Sequence, residues 1–128
     1  MNLTRRGFIR SATATTAAFA AIPLLGADPD RKYRTALIGS GWWGMNILRE
    51  AMAAGQLKVV ALCDVDPQAL DAAAEHTREA SGEQPKKYRD FRELLEKEKS
   101  EIVIIATPDH WHALIAIAAM KAGSHVFV

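Results

Sequence analysis

Cysteine is almost absent from this sequence, which contains Cys63 alone among its 128 residues. A disulfide within the chain is therefore impossible, and no zinc site can be built from cysteine thiolates. A strong net charge is also missing, since 16 basic residues face 15 acidic ones. This balance gives no indication of a nucleic-acid partner, which a strongly basic surface would attract. The length suits a single soluble domain.

The first 27 residues lack acidic side chains but contain three arginines. Residues 4–10 (Thr-Arg-Arg-Gly-Phe-Ile-Arg) resemble the twin-arginine export motif, and the uncharged stretch Ser11–Leu25 follows them. With 15 residues this stretch is shorter than a bilayer span, which needs roughly 20, and it has the length of a signal-peptide apolar region. We expect residues 1–27 to be a twin-arginine signal peptide, recognised by the twin-arginine export machinery, and the protein to be periplasmic or otherwise exported.

Other interpretations of this segment are a disordered Ala/Thr-rich arm and an uncleaved membrane anchor. Signal cleavage is expected after Ala20 or after Ala27. Residues 28–33 are expected to form a polar linker, and residues 34–128 the folded domain.

Strand and helix patterns alternate along the rest of the chain. Buried strands are indicated by apolar, β-branched runs. Helix starts are indicated by Asp66-Pro67, Asp90 and Thr107-Pro108, in which Asp or Thr is the expected N-cap. Pro67 and Pro108 are the expected first residues of their helices. The predicted strands are Tyr33–Ile38, Lys58–Cys63, Lys86–Tyr88, Ile102–Ala106 and His125–Val128. The predicted helices cover about 42–54, 67–80, 91–98 and 108–122. This βαβαβαβαβ order predicts an α/β fold, a Rossmann-type doubly wound parallel sheet with strand order 3-2-1-4-5.

A glycine-rich motif, Gly39–Gly44 (Gly-Ser-Gly-Trp-Trp-Gly), joins the first predicted strand to the first helix. Its glycines would permit a tight turn, close approach of a pyrophosphate and close helix–strand packing. An acid, Asp64, lies 20 residues after Gly44 at the end of the second strand. This combination is the fingerprint of a dinucleotide site. Because the Asp64 carboxylate would accept hydrogen bonds from a ribose diol and repel a 2′-phosphate, we predict NAD as the cofactor, with NADP less favoured.

Blander interpretations exist for the same residues. The glycines would then serve packing alone, and Asp64 would share a helix-capping role with Asp66. For Trp42 and Trp43, we expect one ring to pack at a helix interface and the other to shield the cofactor or meet another domain. His110 and His112 lie two apart and would point to different sides of a helix without an evident third ligand, so we expect no metal site.

Four motifs together resemble the N-terminal domain of the glucose–fructose oxidoreductase / inositol dehydrogenase / rhizopine catabolism (Gfo/Idh/MocA) family. They are Gly39–Gly44, Cys63–Asp66, Ala106–His112 and Ala122–Val128. The resemblance implies an NAD(P)-dependent oxidoreductase acting on a sugar, polyol or derivative. Some similar exported members are NAD-dependent glycosidases that use transient oxidation. The cofactor site implied by the resemblance consists of Gly39, Ser40, Gly41, Trp42, Trp43, Gly44, Asp64, Thr107, Pro108 and His112.

In that family a Glu-Lys-Pro motif with a catalytic lysine follows the fifth strand, and a substrate domain comes next. Because the sequence stops at Val128, we expect a fragment without catalytic residues, inactive and marginally stable alone. The small-molecule substrate would bind through the missing domain, and the full-length form would be a possible homo-oligomer. The alternatives are a stand-alone nucleotide-binding module and an inactive truncated product.

Overall fold

The computed structural model describes Asp28 and residues 30–128. The expected signal peptide, residues 1–27, lies outside these residues. The described chain contains five strands, β1 (Tyr33–Ile38), β2 (Leu57–Cys63), β3 (Lys86–Tyr88), β4 (Ile102–Ile105) and β5 (His125–Phe127). Four helices alternate with them, α1 (Trp42–Ala53), α2 (Pro67–Ser81), α3 (Phe91–Glu98) and α4 (Asp109–Lys121). All predicted elements are confirmed, with ends that shift by one residue at most.

The five strands form one parallel sheet in the order β3-β2-β1-β4-β5. This confirms the predicted Rossmann-type arrangement. The crossovers from β1 to β2 and from β2 to β3 move one way across the sheet, whereas the connection from β3 returns to β4 on the other side of β1. The chain therefore diverges between β1 and β4, and such a divergence opens a crevice at the carboxyl edge of the sheet.

Each face of the sheet has its own apolar core, because successive side chains of a strand point to opposite faces. Leu37 contributes to one core and its neighbours Ala36 and Ile38 to the other. The core of α1 and α2 includes Leu48, Leu62, Leu70 and Ile104. The core of α3 and α4 includes Phe91, Leu94, Val103, Ile105 and Ile115. Two covered faces explain why β4 is a continuous apolar run and why β2 is apolar except for Lys58.

The start of α4 differs from the prediction. The helix begins at Asp109, and the extended residue Pro108 (φ −57°, ψ 144°) is its N-cap, with no side-chain capping bond. Thr107 is therefore not the N-cap, and Pro108 is not the first helical residue. Because Thr107 lies one residue too early, its hydroxyl does not cap the first turn. Among the described helices, none is both long and apolar enough to cross a bilayer.

Candidate functional site

A cleft of about 540 Å³ lies at the carboxyl edge of the sheet, where β1, β2 and β4 end. Its floor includes Gly39, Gly41 and Cys63. One wall follows β2 and β3 and the other follows β4. The first wall is formed by Asp64, Val65, Arg89, Asp90, Phe91 and Arg92, and the second by Ala106, Thr107, Pro108, Trp111 and Ile115. The structure thus brings five of the expected site residues to one cleft, namely Gly39, Gly41, Asp64, Thr107 and Pro108. The other five do not line it, namely Ser40, Trp42, Trp43, Gly44 and His112.

Glycine is suited to each of the three motif positions for a different physical reason. Gly39 adopts φ +93°, and a Cβ there would lie 2.6 Å from the carbonyl of Ala106. A Cβ on Gly44 would lie 1.9 Å from the Gly39 carbonyl oxygen, so the first turn of α1 packs directly against the loop. Gly41, by contrast, has no heavy atom within 4 Å of the position of a Cβ. Gly39 and Gly44 are therefore required by protein packing, whereas the space beside Gly41 is open to a ligand.

The amino-terminal end of α1 has no side chain that compensates its partial positive charge. Its N-cap is Gly41, no side chain caps it, and its first turn contains no acid. The other described helices are compensated, since Asp66 caps α2, Asp90 caps α3 and Asp109 lies in the first turn of α4. Free N–H groups and the helix dipole leave α1 with an uncompensated partial positive charge. That end of α1 is therefore suited to an anion such as a diphosphate.

Asp64 makes more protein contacts than the sequence predicts. Its Oδ2 accepts hydrogen bonds from the Ser40 N–H (2.7 Å) and the Ser40 hydroxyl (3.2 Å). Its Oδ1 accepts one from the Asp66 N–H (3.0 Å). The capping bond of α2 belongs to Asp66 alone, which accepts from Gln68 N–H. Asp64 is half-buried beside the cleft, so a carboxylate that supports the glycine loop also faces the place of a ribose.

Both tryptophans of the glycine motif are exposed, Trp42 to 76% and Trp43 to 60%. Their ring centroids lie 5.9 Å apart, so they contact each other. The expectation that one ring packs at a helix interface is therefore wrong. At the start of α1 the inward direction is taken by Gly44 and Met45, both buried, which leaves the two preceding side chains on the outer side.

The loop after β4 is held by a histidine. The His112 Nε2–H donates to the carbonyl of Thr107 (2.7 Å), which makes His112 a positioning residue of this loop. The hydroxyl of Thr107 is buried and has no partner among the described residues. Within residues 30–128, no group of three or more His, Cys, Asp or Glu side chains is arranged to hold a metal ion.

Ten residues that line the cleft are outside the site expected from the sequence, namely Ile38, Cys63, Val65, Arg89, Asp90, Phe91, Arg92, Ala106, Trp111 and Ile115. A signal for Arg89 existed, because it follows a strand predicted to pair with β2. Cys63 also faces the cleft. Burial, and then the negative charges of Asp64 and Asp90, raises the pKa of its thiol to about 12. This thiol is therefore an uncharged part of the cleft at neutral pH.

Residues 33–128 match the oxidoreductase family with an NAD-binding Rossmann fold known as Gfo/Idh/MocA. A glycosyl hydrolase family 109 protein of Stenotrophomonas maltophilia is 43% identical, over 93% of this chain and 28% of that protein. An α-N-acetylgalactosaminidase of Tannerella forsythia is 31% identical, over 96% of this chain and 31% of that protein. The chain therefore spans about three tenths of the length of these curated relatives.

Solved structures show the same domain. The WlbA dehydrogenase of Bordetella pertussis, in complex with NADH and UDP-GlcNAcA, superposes with a TM-score of 0.63 at 30% identity, over 75% of this chain and 28% of that chain. The myo-inositol 2-dehydrogenase of Lactobacillus plantarum superposes with a TM-score of 0.64 at 28% identity, over 76% of this chain and 27% of that chain.

Proposed function

The chain belongs to the Gfo/Idh/MocA oxidoreductase family, and we propose that it holds NAD at the carboxyl edge of its sheet as the cofactor-binding part of an oxidoreductase. The substrate we propose is a sugar, a polyol or a related small molecule. The single observation that carries this proposal is the bare amino-terminal end of α1 beside the open space at Gly41.

The residues of the cleft fit the parts of the dinucleotide. The N–H groups at the start of α1 would bind the diphosphate, which needs no side chain from the protein. Asp64 would accept a hydrogen bond from the adenosine ribose. Val65 and Trp111, two apolar residues of the cleft, would contact the adenine. His112 would keep the loop after β4 in place through Thr107.

Bound NAD supplies a hydride acceptor, and the chain's own residues bind and orient it. We assign the catalytic residues and the substrate-binding groups to the rest of a longer protein, because the chain spans about three tenths of its relatives' length. The bulky exposed pair Trp42 and Trp43 lies beside the glycine loop, where it would face that part of the protein.

A second candidate is an NAD-dependent glycosidase. The names of the curated relatives favour it, since they include a glycosyl hydrolase family 109 protein and an α-N-acetylgalactosaminidase. In such an enzyme the hydride is removed from the sugar and later returned, so no net oxidation occurs. The longer protein, incubated with NAD⁺ and a nitrophenyl N-acetylgalactosaminide, would then release nitrophenol without accumulating NADH. Accumulation of NADH in proportion to substrate would instead support the oxidoreductase.

Cofactor binding is tested by calorimetric titration of the 128-residue chain with NAD⁺. We expect saturable binding with one site per chain, with ATP as the control ligand that lacks the second nucleoside. Absence of saturable binding would contradict the cofactor proposal and support the interpretation as an inactive fragment. Saturable binding by a chain whose gene ends at codon 128 would support a stand-alone nucleotide-binding module.

We also propose export through the twin-arginine route to the periplasm, on the order of Arg5, Arg6, Phe8 and the apolar stretch Ser11–Leu25. The test is a reporter fused after Ala27 in a bacterium with an intact twin-arginine pathway. The reporter is expected in the periplasmic fraction, and the double change Arg5→Lys, Arg6→Lys is expected to keep it in the cytoplasm. Unchanged export of the double variant would contradict this route.

A further inference from the structure

We propose that Arg89 is a cofactor-selectivity residue. Its guanidinium would face the 2′-position of the adenosine ribose and would allow NADP to bind in the same site as an alternative to NAD. This inference rests on the proposed cofactor site. No basic residue directly follows Asp64 in the sequence, since Val65 and Asp66 come next. The pairing of β2 with β3 supplies one from the neighbouring strand.

The register of the two strands places Arg89 beside Asp64. Cys63 pairs with Tyr88 at the ends of β2 and β3, and Asp64 and Arg89 are the first residues after these two strands. The Asp64 N–H donates to the Tyr88 carbonyl (3.1 Å), which continues the ladder to this point. Neighbouring strands lie about 4.8 Å apart. The backbone of Arg89 is therefore one strand spacing from that of the ribose-binding acid.

The side chain of Arg89 stays on the cleft. Its Nη2 donates to the carbonyl of Val65 (3.2 Å), the residue directly after Asp64. Both Val65 and Arg89 line the cleft. The guanidinium is thus held across the ends of β2 and β3, on the wall that would face the adenosine half of the cofactor.

The charge of Arg89 is not compensated by an acidic side chain within residues 30–128. Its one side-chain hydrogen bond within residues 30–128 goes to a neutral carbonyl, and it forms no ion pair there. Arg92, the other cation of the wall, is engaged, because its Nη1 lies 3.3 Å from Asp90 Oδ1 and its guanidinium covers the ring of Phe91. Arg89 therefore retains N–H donors and a full charge for an anion that enters the cleft.

The acid of the site is correspondingly restrained. Asp64 accepts three hydrogen bonds from Ser40 and Asp66, which fix the position of its carboxylate. The carboxylate keeps its negative charge and repels a 2′-phosphate, and an arginine nearby is the group that accommodates this phosphate. The pair predicts that NAD binds more tightly and that NADP still binds.

The test is calorimetric titration of the 128-residue chain with NAD⁺ and with NADP⁺, for the unmodified protein and for Arg89→Ala, Arg89→Lys and Lys87→Ala. Lys87 is the matched control. It lies in β3, two residues before Arg89, and its loss removes the same charge, but its ammonium pairs with Asp71 in α2 (2.7 Å) and does not line the cleft.

We expect Arg89→Ala to weaken NADP⁺ binding by about fivefold to tenfold, as one charge-assisted hydrogen bond at an exposed site does, and NAD⁺ binding by less than about twofold. Arg89→Lys should recover part of the NADP⁺ affinity, and Lys87→Ala should leave the ratio of the two affinities unchanged. An unchanged ratio in Arg89→Ala, with saturable NAD⁺ binding by the unmodified chain, overturns this inference alone. Absence of NAD⁺ binding by the unmodified, folded chain overturns the cofactor proposal and this inference with it.

Discussion

The carboxylate of Asp64 accepts hydrogen bonds from both the N–H and the hydroxyl of Ser40, 24 residues earlier, and so joins the end of β2 to the glycine loop. Ser40 is 3% exposed. One side chain thus supports the conformation of the loop that would bind the diphosphate and faces the place of the ribose. Changes at Asp64 should therefore affect more than a single cofactor hydrogen bond.

Asp64→Ala is expected to weaken NAD⁺ binding by at least about tenfold, the effect of losing one or two hydrogen bonds to a charged group. The loss for NADP⁺ should be smaller, because the same change removes the repulsion of the 2′-phosphate. Calorimetry with both cofactors measures the two losses. Ser40→Ala is the control, because it removes the longer of the two bonds from Ser40 and keeps the backbone N–H. Equal losses for both cofactors in Asp64→Ala would contradict the ribose assignment.

The glycines predict opposite results for the same substitution. Gly44→Ala places a Cβ 1.9 Å from the Gly39 carbonyl oxygen, so it should lower the free energy of unfolding by about 2 kcal/mol or more through overpacking. Gly41→Ala has free space and an ordinary φ of −68°. It should leave the thermal midpoint nearly unchanged and weaken NAD⁺ binding about tenfold or more, because the methyl group occupies the path of the diphosphate.

Thermal unfolding and NAD⁺ titration of the two glycine variants separate the roles. Normal NAD⁺ affinity in Gly41→Ala would show that the diphosphate does not bind beside Gly41. A Gly44→Ala protein with normal stability would show that α1 can move away from the loop without loss of packing.

The environment of Glu98 predicts how the free energy of unfolding changes at acidic pH. This buried carboxylate accepts hydrogen bonds from Tyr88 and Lys86, and Arg34 lies 3.8 Å from it. Burial acts to raise its pKa, but the two hydrogen bonds and the charges of Lys86 and Arg34 outweigh burial, so the pKa lies below the ordinary 4.5. A lowered folded pKa stabilises the protein above the unfolded value and loses this contribution as the pH falls through the folded pKa.

Glu98→Gln should therefore lower the free energy of unfolding by about 1–2 kcal/mol at pH 7, with a difference from the unmodified protein that narrows below pH 4.5. Denaturant unfolding at pH 7, 5 and 3.5 measures it. A difference that stays constant over this range would contradict the role of the charge.

The environment of Tyr88 predicts how the free energy of unfolding changes at alkaline pH. Burial, with the hydrogen bond to Glu98, raises the pKa of its hydroxyl from 10.0 to about 12. A raised pKa stabilises the protein below the unfolded value and loses this contribution as the pH rises through the folded one. Stability should therefore fall between pH 10 and about 12, and Tyr88→Phe should fall less steeply there. Equal slopes for both proteins in denaturant unfolding would count against the assignment.

The three tryptophans of the chain all lie at the candidate site. Trp111 lines the cleft, and Trp42 and Trp43 follow Gly41 in the glycine motif. Binding of NADH should therefore quench tryptophan emission and sensitise the emission of the nicotinamide. Trp111→Phe is expected to remove part of this signal. Trp42→Ser should change the free energy of unfolding by less than about 0.5 kcal/mol, because the ring is exposed. Quenching that is unchanged in both single variants would contradict the position of the cofactor.

The sequence by itself determined the order and type of the elements, the strand order and the three motif glycines. These follow from local rules, since hydrophobic periodicity, proline and N-cap residues and the handedness of βαβ units act over short stretches of chain. The same rules failed at Thr107, where the hydroxyl lies one residue before the N-cap. They also failed at Trp42 and Trp43, where size suggested burial and the position on α1 decided exposure.

Only the tertiary structure decided which side chains share the cleft. Arg89 stands beside Asp64 because β3 pairs with β2 in one particular register. Asp64 reaches Ser40 because the ends of β1 and β2 meet at the same edge of the sheet. Such contacts join residues that lie about 24 positions apart in the chain. They depend on register and side-chain direction, which no local pattern contains, because both are set by the packing of the whole sheet against its helices.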